Sequence, residues 1–286
     1  MKRVYRVFLF VSWATLSAWV PSQAAAQGDA GVDTAVRTAR EAGVPEQTLN
    51  HILALGYRHN LEAQDVARFL FMAREASEEG LPLDPLVGKM EEGLAKQIQI
   101  QTIERAVRNE MGQYRFVLNL THMTMARHNM RDQHLVGKDL TKMTKALSMG
   151  LNASEMETFF KEAPRASMRA YANALELTSA MKQSGLEFSM GKEIAFNGLE
   201  KGYFARSAWA LALTVHIAKK GGLEDARIRD AALAVVTGSK SIRSMQESLH
   251  IDPKNIKGRS HDVLLQGLRS GETGRQTGNV LESHLI

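Results

Sequence analysis

The sequence predicts an all-α protein built from degenerate helix-pair repeats that form a compact helical bundle or a short α-solenoid, and three observations lead there. Between Gly31 and Leu249 only Pro45, Pro82, Pro85 and Pro164 interrupt a chain rich in Ala, Leu, Met, Glu, Lys and Gln, all good helix formers. Strand-like alternation is nearly absent. Finally, the frame of Gly80 to Lys96, GLPLDPLVGKMEEGLAK, returns as Gly185 to Lys201, GLEFSMGKEIAFNGLEK: Gly-Leu, then Leu83 or Phe188, and later Gly-Leu-x-Lys.

The chain opens with a secretory pattern. Lys2, Arg3 and Arg6 precede an apolar run from Val7 to Val20, which Pro21 and the small residues Ala24 to Ala26 follow. Residues 1–26 are therefore expected to be a signal peptide cleaved after Ala26. The run is shorter than the ~20 residues a membrane-spanning helix needs, and no later segment is apolar enough to cross. Loss of residues 1–26 removes three basic residues and no acid, which lowers the formal net charge from +5 to +2. It also leaves Trp209 as the only tryptophan. With no clustered basic excess and few stacking rings, nucleic acid is not an expected partner. The absence of cysteine excludes disulfide bracing and thiol chemistry.

Residues 27–36 read as a polar, flexible lead-in, and residues 37–249 as the repeat domain. Copies start at Gly43, Gly80, Gly137 and Gly185, each with a second glycine at Gly56, Gly93, Gly150 and Gly198, and a fifth start lies at Gly222. Counting from each start, offset six is Leu49, Leu86, Met143, Gly191 and Ile228. Offset ten is Leu53, Met90, Leu147, Ala195 and Ala232, and offset fourteen is Tyr57, Leu94, Leu151, Leu199 and Val236. Steps of four place these on one helical face. The second glycine is either a left-handed helix stop or a point of close helix approach.

Each copy supplies a second helix. Asn60 is expected to cap the helix that runs through Val66, Phe69, Leu70 and Ala73, Asp84-Pro85 to start the next, and Asn152 with Glu155 to form a capping box. Two longer second helices span Ile98 to about His134, with Ile103, Val107, Met111, Tyr114, Leu118 and Met125 as its stripe, and Ser154 to about Lys182, which Pro164 should kink or break. Trp209 to Ile217 alternates like a strand, but its alanines and helical neighbours favour a buried helix. Residues 250–286 read as a mostly flexible tail.

Two clusters invite a chemical reading. The Met/His-rich stretch holds His122, Met123, Met125, His128, Met130 and His134, whose thioether and imidazole groups suit copper. Its histidines, however, stand six residues apart, whereas helical neighbours stand three or four apart. Phe116, Leu120, Met123, Met130 and His134 instead form a second apolar stripe that calls for packing. His216 lies inside an apolar run with no partner identifiable from the sequence. Glu78-Glu79 and Glu91-Glu92 read as solvated charge, and Lys96 and Lys201 as cations near helix ends. No residue is assigned a catalytic, cofactor or metal role, and no motif of a known enzyme class is present. The expected function is that of an exported, non-enzymatic helical-repeat protein, periplasmic or else extracellular, that binds a protein or peptide partner in the cell envelope. The alternative is a periplasmic copper-binding protein that uses the Met/His-rich helix.

Overall fold

The computed structural model describes residues 23–130, 135, 137–206 and 208–251, with side chains from Gly31 onward. Most of the expected signal peptide and tail lie outside the described residues, as does His134. The described residues are all-helical: α1 Gln23–Glu41, α2 Glu46–Arg58, α3 Ala63–Glu78, α4 Leu83–Ala95, α5 Ile100–Arg127, α6 Gly137–Ser148, α7 Ala153–Glu162, α8 Met168–Gln183, α9 Phe188–Glu200, α10 Trp209–Lys220, α11 Asp225–Val236 and α12 Ile242–Ser248, with one 3-10 turn at Tyr203–Ala205. None of these helices is long and apolar enough to cross a membrane. The chain divides inside α3 into two compact units, Met1–Arg74 and Glu75–Ile286.

In the first unit, α1 packs on α2. Ala35 and Ala39 are buried, and α1 is helical throughout 27–36, the stretch expected to be a flexible lead-in. Small, well-propagating alanines on one face give that stretch a reason to order. Where α3 follows α2, Gly56 makes the close approach: a Cβ there would sit 2.6 Å from Val66 Cγ2.

The second unit is organised around α8, in which every residue from Tyr171 to Met181 is buried. It packs against α6, α9, α10 and the 3-10 turn, while α4 lies on α5 and α5 on α6 and α7. The expected faces of the repeat frame hold best here. Leu86, Met90 and Leu94 are buried, as are Gly191, Ala195 and Leu199, and Ile228, Ala232 and Val236. The third copy departs at half-buried Leu147, and in the first Leu53 is half-buried and Tyr57 is 90% exposed. There α2 buries Leu49, Ile52 and Leu55 instead, because steps of three rather than four follow its contact line.

Gly137 opens α6, but the other four starts of the glycine frame have a different meaning from the one expected. Gly43, Gly80, Gly185 and Gly222 have φ between 69° and 94°; each ends the helix before it rather than opening the next. Eleven of the twelve helices have a left-handed residue two positions past their last residue, glycine at seven and Asn60, Gln97, Asn129 and His250 at the others. In nine of these the following amide closes a six-to-one hydrogen bond, as from Leu81 N to Ala76 O (2.8 Å) and Leu186 N to Met181 O (3.1 Å). That following residue is always Val, Leu, Ile or Met. This is the Schellman stop with its apolar clamp.

The second glycines split. Gly56, Gly93 and Gly198 lie inside helices against Val66, Ile103 and Phe204, whereas Gly150 (φ 101°) is a left-handed stop. Asn60 therefore closes α2 instead of capping α3, and α4 begins at Leu83 behind Pro82, with Asp84 in its first turn rather than at its cap. The capping box holds: Asn152 Oδ1 accepts from Glu155 N at 2.9 Å and Glu155 Oε2 from Asn152 N at 2.8 Å. Pro164 breaks the second long helix into α7 and α8. Trp209 to Ile217 is helical, within α10.

Candidate functional site: an apolar groove between α5 and α7

α5 buries Ile103, Val107, Met111 and Tyr114 as expected, but its seam then passes through Val117, Thr121 and Thr124. Leu118 and Met125 are only half-buried. That drift leaves the adjoining stripe of Phe116, Leu120 and Met123 beside α7, a helix of 10 residues too short to cover it. The result is a groove of about 540 Å³ walled by Phe116, Leu120, Met123 and Phe160 and bordered by Arg127, Glu157 and Lys161. Its volume is that of a ligand pocket. Met123 is 68% exposed, so the second stripe is not closed packing at this position. Behind the groove the aromatic rings are fixed: Phe160 tilts against Tyr171 with centroids 6.1 Å apart, and Phe159 meets Phe196 edge-on at 5.2 Å.

One end of the groove is made by an unusual helix stop. α7 is the one described helix without a left-handed residue after it, since Ala163-Pro164 follows directly. Its last carbonyls are met from α5 instead. Arg127 donates to Phe160 O (2.5 Å) and Lys161 O, His128 Nε2 lies 3.2 Å from Ala163 O, and Thr124 Oγ1 approaches Phe160 O at 3.4 Å. A guanidinium at a helix C-terminus also opposes the negative end of the helix dipole. The tyrosine hydroxyl of Tyr171 donates to Pro164 O (2.6 Å) and holds the turn below.

Of the Met/His cluster, all but His134 lie within the described residues. His122 and Met123 are exposed, Met125 and His128 half-buried, and Met130 buried, with His128 directed at the end of α7. Among the described residues no three His, Asp or Glu side chains are grouped to hold a metal ion. His216 is buried (6% exposed) and its Nδ1 lies 3.0 Å from Ser184 Oγ, a partner that sequence could not name because it sits at the far end of α8. The Ser184 hydroxyl is also 2.8 Å from Ala180 O, the usual back-bond of a serine at a helix end. Glu79 is held by Arg115 together with Glu75, and Glu92 by Lys96. Lys96 and Lys201 are C-terminal caps of α4 and α9.

A second, more polar hollow of about 370 Å³ lies among α4, α5 and α6. Burial raises the Glu110 carboxyl above the ordinary glutamate range despite Lys89 at 3.6 Å. Burial likewise pushes the Tyr114 phenol up to about 12, opposed by its hydrogen bond with Thr141. No known protein family, characterised protein or solved structure matches this chain.

Proposed function

We propose that the chain is an exported, non-enzymatic binding protein whose α5–α7 groove receives a large apolar side chain from a peptide segment of a protein partner in the cell envelope. The carrying observation is Met123, 68% exposed on a mostly apolar wall. A thioether is polarisable and adapts its rotamers to varied apolar partners. Arg127 and Lys161 outnumber Glu157 at the border, which favours a partner carrying an acid beside its apolar anchor. Of the polar side chains that line the groove, Arg127 and Thr124 are turned to the carbonyls that end α7, which supports binding over catalysis.

The repeat reading rests on the recurring stops and on the two glycine contacts, Gly56 with Val66 and Gly93 with Ile103, each ten residues apart. Export rests on the amino-terminal pattern, and protein sequencing of the envelope fraction should find Gln27 first; an intact Met1 there would end that part of the proposal.

The groove is tested by placing a photo-crosslinking phenylalanine analogue at Met123 in the native cell, with the same analogue at exposed Glu200 as control. A discrete adduct from position 123, absent at 200 and lost with Phe116→Asp, is expected. Absence of any adduct at 123, or the same pattern from both positions, would remove the proposal.

A further inference from the structure

A cavity of about 390 Å³ in the second unit has a different chemistry from the groove. It is lined by residues from the first turns of α6 and α8 and by the end of the 3-10 turn with the residue after it. Lys138 and Lys142 come from α6, Arg169 from α8 and Arg206 from beyond the turn. Among the described residues Lys138, Arg169 and Arg206 form no ion pair. Lys142 does: its Nζ donates to Glu176 Oε2 and Asn173 Oδ1, both at 3.0 Å. Asn173 in turn donates to Phe204 O (2.9 Å) and Arg206 O (3.2 Å), which fixes the backbone that carries Arg206.

The other polar side chains of the cavity are buried, Asn173 at 4% and Asp139 at 8% exposed, as is Glu176 (8%), which reaches the cavity through Lys142. Glu176 has its lysine. Asp139 lines the cavity and has no hydrogen-bond or ion-pair partner among the described residues. With no group among the described residues bonded to it, the Asp139 carboxylate is free to accept from a guest in the cavity. Four cations against two carboxylates leave a net positive wall.

We propose that this cavity binds a small organic anion that also carries a hydroxyl or ammonium group. The acid lies against Arg169, Arg206 and Lys138, whose planar and flexible donors suit a phosphate or carboxylate. The hydroxyl or ammonium donates to Asp139. The site is separate from the α5–α7 groove and does not depend on it.

Calorimetric titration of the full chain with glycerol 3-phosphate and with L-glutamate tests this, and whichever binds distinguishes a phosphoryl from a carboxylate source. Sulfate, an anion with no donor at neutral pH, serves as competitor. Saturable binding of one probe is expected, weakened about tenfold or more by Arg169→Ala and by Asp139→Asn, with sulfate a poor competitor. Asp139→Asn should melt close to the parent, because no hydrogen bond or ion pair among the described residues is lost. No binding of either probe at millimolar concentration, equal displacement by sulfate, or unchanged affinity in both variants would overturn the proposal.

Discussion

Two glycines of α4 should respond oppositely to the same substitution. At Gly88 an added Cβ meets nothing within 4 Å, whereas at Gly93 it would sit 2.6 Å from Ile103 Cγ1 and 2.8 Å from Cδ1. Alanine is favoured over glycine in a helix interior by about 0.8–1 kcal/mol, so Gly88→Ala should be stabilised by roughly that amount. Gly93→Ala gains the same propensity but must push against Ile103, a β-branched side chain only 2% exposed and stiff at χ1. Overpacking of this kind costs about 1–3 kcal/mol. The two variants should therefore differ by about 1–3 kcal/mol, Gly93→Ala being the less stable. With a urea slope of about 2–3 kcal/mol per molar, a gap of about 2 kcal/mol separates the midpoints by roughly 0.7–1 M. Far-UV circular dichroism in urea reads this directly, provided the slopes agree. In a double-mutant cycle, Ile103→Ala should relieve the clash, with a coupling of about 1 kcal/mol or more. If Gly93→Ala melts at or above the Gly88→Ala midpoint, the close approach of α4 and α5 is not real.

Asn152→Ala should lower stability by about 1 kcal/mol through loss of the α7 capping box, read as a shift in urea midpoint; no shift would mean that α7 starts without it. Glu110→Gln should change the pH dependence of stability. An acid whose folded pKa is raised contributes stability below its unfolded pKa, and that stability is lost as pH rises from the ordinary glutamate range through the folded value. The variant should show a flatter profile over that mildly acidic window and gain on the parent toward neutrality. Parallel profiles measured by thermal melts across the window would refute the burial argument.

Helix content, the Pro164 break and the Asn152 box were legible because each depends on residues within one turn of one another. The Gly-Leu recurrence was also legible, but its sense was not. A glycine followed by Leu reads equally as the close of one helix or the entry to the next, and only the left-handed φ at Gly80 and Gly185 separates the two. Asn60 misled for a related reason, since asparagine serves both caps and left-handed stops. The groove escaped sequence reading because Phe116, Leu120 and Met123 have the spacing of a packed stripe, and nothing in α5 reports that α7 ends too soon to cover it. The charged cavity had almost no signal: Lys138, Arg169 and Arg206 lie 31 and 37 residues apart, and only the fold brings their elements together. Its one retrospective clue is Asp139, on the face of α6 that also carries Met143.

The side chains that end α7 have a bearing on affinity. Because Arg127 and His128 of the α5 terminus hold the carbonyls of Phe160, Lys161 and Ala163, the two walls of the groove are joined at one end and cannot part or slide independently. A guest entering there finds its receptor already shaped, so little conformational freedom is surrendered by the host on binding. Selectivity should follow from that stiffness: a guest too broad for the fixed gap is refused, and the exposed thioether of Met123 is left as the part of the wall that can yield.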